Sequence, residues 1–194
     1  MHRRPLIAQL ERYRAHWPDE VAIVDRFLRF VETHDDCLLR SCGVGHITAS
    51  AWILDADRDR ALLCHHGKLG RWLQLGGHVD GEVDVERAAL REAKEESGLR
   101  QLRLVPWAGA DLVPLDLDVH PIPARADEPA HEHWDVRFLL RAAPGQQLEI
   151  SAESNDLRWF RPEEVALVTT EESVLRLQQK ARRLRDGGAL QNGL

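Results

Sequence analysis

At 194 residues, 43% hydrophobic and 30% charged, the chain has the size and balance of one globular domain, or one domain with an appendage. A net charge of −6 argues against a general binder of nucleic acid or of anionic membranes, but not against a small polyphosphate reached through a bound cation. Three cysteines without a CxxC spacing exclude a disulfide framework and fit a reducing cytoplasm; the N-terminus lacks a signal-peptide core, and no apolar run nears the ~18 residues of a membrane span.

In chain order, residues 5–34 read as two helices. Ile7, Leu10 and Tyr13 recur at helical spacing, Pro18 suits a first helical position, and Val21, Val24, Phe27, Leu28 and Val31 form an apolar stripe. A hairpin packed on the main domain is the expected arrangement, with a dimerisation arm as the alternative. After the connection "ETHDDCLLRSCGVG", the runs "HITASAWILD" and "RALLCHH" read as strands around the turn "ADRD", and "RWLQLGG" as a short strand ending in a Gly-Gly turn. Residues 84–97 read as a helix with Asp84 as N-cap and Gly98 as its stop. Further strands are expected in "LRLVPWAGADLVPLDLDVHPIPA", "HWDVRFLLRA" and "LRWF", with "ADEPAHE" a loop. Thr169 and Glu172 have capping-box spacing for a last helix whose buried face is Val174, Leu177, Ala181 and Leu184; the tail from Gly187 is expected to fray. Alternating helices and strands give an α/β or α+β class with a mixed sheet, of which α/β is the expectation.

The helix over 84–97 raises the chemical question. On a helical wheel, Val85, Ala88, Ala89, Glu92, Glu95 and Glu96 fall within roughly one-third of the circumference. Three acids thus continue the packing side, where they require a compensating charge. Arg91 can pair with Glu95, but one arginine does not neutralise three carboxylates. A divalent cation such as Mg²⁺, which takes carboxylates, water and phosphate oxygens, does.

"GGHVDGEVDVERAALREAKEESGL" resembles the box of the Nudix (MutT-like) hydrolases. "REAKEESGL", Arg91 to Leu99, fits throughout. The front half departs: counting back from Arg91 the family's first Glu falls at Val83, while Glu82 comes one residue early. The resemblance spans roughly residues 44–185 and implies an α/β/α sandwich, so the chain divides into an N-terminal helical extension (1–40), a Nudix domain (41–187) and a flexible tail (188–194). It further implies that Glu92, Glu95 and Glu96 bind Mg²⁺ or Mn²⁺, with the Gly76 carbonyl as a further ligand and Arg91 orienting the carboxylates. The activity implied is metal-assisted hydrolysis of a nucleoside diphosphate linked to another moiety. Glu95 is one candidate base, and Glu149 and Glu153 are candidates from a distant loop. A small-molecule substrate, no nucleic acid or membrane partner, and a homodimer are the expected associations. Trp72, Trp107 and Trp134 are candidates to stack a base, against core packing.

The chain holds ten histidines. His2, His16 and His34 are expected on the surface of the helical arm, and one of His65 and His66 is a candidate to face substrate. His46 opens a core strand, His78 follows the glycine pair, and His131 and His133 share one side of a strand; His120 belongs to the same interesting group. This set is similar to type-1 isopentenyl diphosphate isomerases, which hold a metal with histidines in comparable places. It implies a second, nitrogen-rich site for Zn²⁺ or Mn²⁺ on His46, His78, His131 and His133, against substrate contacts or polar strand ends. The competing functions are a prenyl diphosphate isomerase, disfavoured because Gly76 stands where those enzymes carry cysteine, and a non-catalytic sensor, disfavoured because the box acids are kept.

Overall fold

The computed structural model describes residues 2–125 and 128–190. Its centre is strand β1 (Gly45–Leu54), buried along its whole length. The reason is placement: β1 pairs in parallel with β7 (His131–Ala142), from Gly45 opposite Glu132 to Leu54 opposite Arg141, and antiparallel with β2 (Ala61–His66) and β4 (Leu75–His78). Strands β3 (Trp72–Leu73) and β8 (Ser154–Phe160) join β2, while β5 (Leu102–Leu104) and β6 (Asp116–Ile122) share the outer edge of β7. The result is an eight-stranded mixed sheet, as the alternating elements predict.

Side-chain alternation gives the sheet two different faces. Ile47, Ala49, Ala51 and Ile53, with Val136, Phe138 and Leu140, form an apolar face whose small β1 residues admit α3 (Val85–Ser97) through Val85, Ala88, Ala89 and Ala93. The opposite face begins polar, with His46, Thr48 and Ser50 on β1 and His131, His133, Asp135 and Arg137 on β7. Helix α5 (Glu172–Asp186) covers the Arg137 part of that face.

Three aspartates and three cations balance there. Asp135 accepts from Thr48 Oγ1 (3.1 Å), Ser50 Oγ (2.8 Å) and Arg137 Nε (2.8 Å). Arg137 also reaches Asp116 and Asp118, and α5 adds Arg176 and Lys180 to Asp116 at 2.9 and 2.7 Å. Lys180 Nζ then donates to the Tyr13 hydroxyl (2.6 Å) and pairs with Glu20. This network fastens the N-terminal arm to the last helix.

That arm is α1 (Arg4–His16), a 3-10 turn (Pro18–Glu20) and α2 (Val21–Thr33). Its hairpin packs on the domain as expected: Phe30 stacks on Trp134 (4.3 Å between ring centres, 3° between planes), Phe27 meets the same ring edge-on, and Gln9 donates to Glu86 of α3.

Several elements differ from expectation. The Gly-Gly pair is not a turn but lies inside β4, opposite Ser50 and Ala49, because the acids of α3 need a backbone without side chains beside them. His131 and Glu132 begin β7 rather than ending a loop, and part of the expected loop over 126–132 lies outside the described residues. A short helix α4 (Pro162–Val168) is present where none is expected; Pro162 opens it, and Glu164 accepts from the Arg161 N–H at 2.7 Å. Thr169 Oγ1 accepts from Glu171 N (3.2 Å), one residue short of the capping-box partner Glu172, and α5 starts with Glu171 at its N-cap position. Asp84 holds the N-cap position of α3 without a side-chain cap bond, its carboxylate lying 3.5 Å from Arg87; Gly98 stops the helix in the left-handed region, φ 73°. Leu190, expected in a flexible tail, is buried, and its carbonyl accepts from Arg58; the expectation for 191–194 lies outside the described residues. No helix among the described residues is long and apolar enough to cross a membrane.

Candidate active site

The acid cluster is built where β4 passes under α3. Gly76 has φ 154°, and a Cβ there would stand 2.5 Å from Cα and Oγ of Ser50. At Gly77 a Cβ would stand 2.5 Å from the Glu92 carboxylate. The two glycines therefore let β4 sit tight on β1 on one side and admit Glu92 on the other. Asp80 (φ 49°) and Gly81 turn the chain from β4 toward α3, and Arg40 holds Asp80 with a two-pronged pair at 2.6 and 2.9 Å.

Within α3, Glu96 Oε2 accepts from the Gly76 N–H at 2.9 Å. Arg91 Nη1 donates to Glu92 Oε1 (2.7 Å) and Glu95 Oε2 (3.2 Å), and Nη2 donates to the His78 carbonyl (2.9 Å). One guanidinium thus spaces two carboxylates and ties the helix to β4. Glu92 and Glu96 face inward, while the Glu95 side chain is 60% exposed, since it stands at the edge of the wheel arc. Burial pushes the Glu96 carboxyl up to about 7 against the pull of the Gly76 N–H, with Glu92, Glu153 and Glu95 adding repulsion. Burial likewise raises Glu92, against Arg91. Three carboxylates with one shared arginine leave negative charge uncompensated, and oxygen donors of this kind suit a hard divalent cation.

The other candidates from the same motif separate. Glu82 is exposed, and among the described residues its carboxylate accepts from the Asp84 N–H, at 3.4 Å, and not from Arg91. Glu149 is tied to the end of α3, donating its N–H to Ser97 O (2.8 Å), with its Cβ against Gly98. Glu153 is the loop acid whose charge is felt at Glu96. Trp134 and Trp107 are core residues, the second donating to Val113 O; Trp72 is half-buried between His65 and Phe160, with Arg158 over its ring. His66 Nδ1 accepts from the N–H groups of Lys68 and Leu69 and serves its turn. Among the described residues all three cysteines are free and buried. The Cys64 thiol, pushed up to about 12 by burial and Glu96, is inert, so no thiol replaces the one missing at Gly76.

On the opposite face, at the starts of β1 and β7, the predicted histidines do meet. His46 stands 4.9 Å from His78, 5.0 Å from His131 and 4.9 Å from His133 between ring centres. His120 lies 5.5 Å from His133, its Nδ1 held by Asp118 at 3.2 Å. Burial, then the neighbouring imidazoles, lowers His46 to about 4 and His133 to about 2, so the rings are neutral. One ring nitrogen from each of His46, His131 and His133 lies within 4.8 Å of the others, a grouping able to hold a metal ion.

The sequence reading passed over the buried Asp116–Asp118–Asp135–Arg137 network. Its signal was present: "DLDVH" and "HEHWDVR" place polar residues at every second position, and Arg176 and Lys180 stand four apart on α5.

The NUDIX domain family model matches residues 45–179. Among solved structures, a Nudix-family hydrolase from Clostridium perfringens is 25% identical over 72% of this chain and 97% of its own, with a TM-score of 0.55. An Ap4A hydrolase from C. elegans is 19% identical over 73% and 98%, TM-score 0.58. A MutT Nudix hydrolase from Burkholderia pseudomallei is 24% identical over 70% and 97%, TM-score 0.51. No curated protein sequence matches the chain at a significant level. The matched segment contains the whole β4–α3 acid cluster and the sheet that presents it, and on these grounds the chain belongs to the Nudix hydrolase family.

Proposed function

We propose that the chain is a Mg²⁺- or Mn²⁺-dependent pyrophosphohydrolase that cleaves a nucleoside diphosphate linked to another moiety. The observation that carries this reading is the convergence of Glu92 and Glu96 on the Gly76–Gly77 backbone, with Arg91 shared between Glu92 and Glu95. Glu92, Glu95 and Glu96 would hold the cation, with the Gly76 carbonyl as a further donor. When bound, the cation lowers the pKa of a coordinated water and offsets charge on the departing phosphate. Arg91 fixes the carboxylate spacing and, through the His78 carbonyl, the distance between α3 and β4. Glu95, the most open of the three, would take the water's proton on the carboxylate oxygen that Arg91 leaves free, and Glu153 is the second candidate base. As the water oxygen bonds to phosphorus, the anhydride P–O bond breaks and the second phosphate leaves. Trp72, half-buried rather than in the core, is the candidate we retain for stacking a base.

The experiment is a chromatographic screen for the mononucleotide, phosphomonoester and pyrophosphate products of hydrolysis over nucleotide sugars, ADP-ribose, dinucleoside polyphosphates, coenzyme A and nucleoside triphosphates. At least one should turn over with Mg²⁺, stop with chelator and resume when Mg²⁺ is restored. Metal-independent turnover, or a folded chain inert to the whole panel, would refute the reading.

Gly77→Ala probes the same geometry. Its Cβ meets the end of a flexible side chain, so the fold should persist while Glu92 is displaced. The Mg²⁺ concentration for half-maximal turnover is expected to rise about 10- to 100-fold, the scale seen when support for a metal ligand is lost. An unchanged Mg²⁺ titration would remove Glu92 from the ligand set.

A further inference from the structure

We propose that His46, His131 and His133, with His78 beside them, form a second metal site that takes a borderline transition ion such as Zn²⁺ and not Mg²⁺. The site stands whether or not the carboxylate cluster hydrolyses a diphosphate.

The register of the sheet makes it. His46 is paired with His133 across the parallel β1–β7 ladder, His131 is two residues back on the same face, and His78 enters from β4, opposite Thr48. Three ligand nitrogens already lie within 4.8 Å of one another. Around tetrahedral Zn²⁺ they would stand ~3.4 Å apart, given Zn–N bonds of about 2.1 Å. Modest turns about the side-chain torsions close that difference.

The hydrogen-bond account of these rings is incomplete without a ligand. His46 is 2% exposed, and neither of its ring nitrogens has a partner. His131 is likewise buried, and its Nε2 has no hydrogen-bond partner. Buried polar atoms are seldom left so. The Nδ1 of His131 lies 2.9 Å from the Pro129 carbonyl, which only accepts. Nδ1 therefore carries the proton and Nε2 carries the lone pair, the tautomer that a metal-binding imidazole adopts when its far nitrogen is held by a carbonyl. The Glu128 carboxylate lies 3.7 Å from that Nε2 and is the available oxygen donor at the rim.

The donor set decides the ion. Imidazoles favour Zn²⁺ and its neighbours, whereas Mg²⁺ and Ca²⁺ take oxygen. The two faces of the sheet thus offer chemically distinct sites, and β4 serves both: Gly76 and Gly77 lie at the carboxylates, and His78 at the imidazoles.

The test is metal analysis of the untagged full chain, purified without chelator, followed by titration of the stripped protein with Zn²⁺ and, separately, Co²⁺. About one transition ion per chain should survive exchange against excess Mg²⁺, and Co²⁺ should give the visible absorption of a tetrahedral nitrogen site. His46→Ala combined with His133→Ala should weaken Zn²⁺ binding by about a hundredfold or more. Glu96→Gln should leave it unchanged, which separates this site from the carboxylate cluster. A wild-type chain that binds neither Zn²⁺ nor Co²⁺ overturns the proposal without any substitution, and so does uptake unaltered in the double variant.

Discussion

Glu96→Gln is expected to lower kcat/KM by about a thousandfold or more, a loss of roughly 4 kcal/mol in transition-state stabilisation. The amide keeps an oxygen to accept from the Gly76 N–H, so the 2.9 Å bond and the β4–α3 contact survive. What disappears is the negative charge at the most buried of the three carboxylates. The variant also removes one of several like charges gathered there, so its melting temperature should hold or rise in metal-free buffer. The combination is diagnostic: activity collapses while the fold does not. Paired measurements of steady-state kinetics and thermal unfolding check it, and activity within tenfold of the parent would show that Glu96 is not a ligand.

Asp116→Ala should produce the largest loss of stability, roughly 3–5 kcal/mol, because it removes the buried carboxylate that three cations share and leaves the network short of one counter-charge. Asp116 is fully buried and receives Arg137, Arg176 and Lys180. Arg137 retains Asp118 and Asp135, whereas Lys180 retains Glu20 and the Tyr13 and Trp17 side chains at the arm. A cost of that size consumes much of the 5–15 kcal/mol that typically separates folded from unfolded chains. For a protein of this length it corresponds to a fall in melting temperature of about 6–20 °C. Urea denaturation gives the free energy directly, and a loss below about 1 kcal/mol would mean that the network relaxes or hydrates around the gap. Arg176→Met, at the more open rim of the same network, should cost clearly less.

How much of this was legible in the sequence depends on how local each cause is. The acids of α3 were readable because helical periodicity is a local property, and the wheel put Glu92 and Glu96 on the packed side. The histidine gathering was readable in part. Alternation along one strand puts His131 and His133 together, but only the parallel register of β1 with β7 adds His46. The strand character of Gly76 and Gly77 was not readable, since a glycine pair signals a turn locally, and only the Glu92 carboxylate and the Ser50 backbone explain it. The salt-bridge network escaped for a related reason. Charged residues at alternate positions suggest a wetted strand face until the matching cations, about sixty residues later on α5, are set over them. The roles of Glu149 and Glu153 turned on which way one loop leans, which no spacing encodes.

The fastening of Tyr13 and Glu20 to Lys180 has a practical meaning for anyone who would trim the protein. The family match ends at Gln179, one residue before that lysine, and begins at Gly45, after both arm helices. A fragment cut at those limits would lose Phe27 and Phe30 from the face of Trp134, one of the three cations paired with Asp116, and the last turns of α5. It would keep every carboxylate of the box and yet present a bare aromatic ring and a buried acid short of one counter-charge. In this chain the packed core extends beyond the segment that the family model matches.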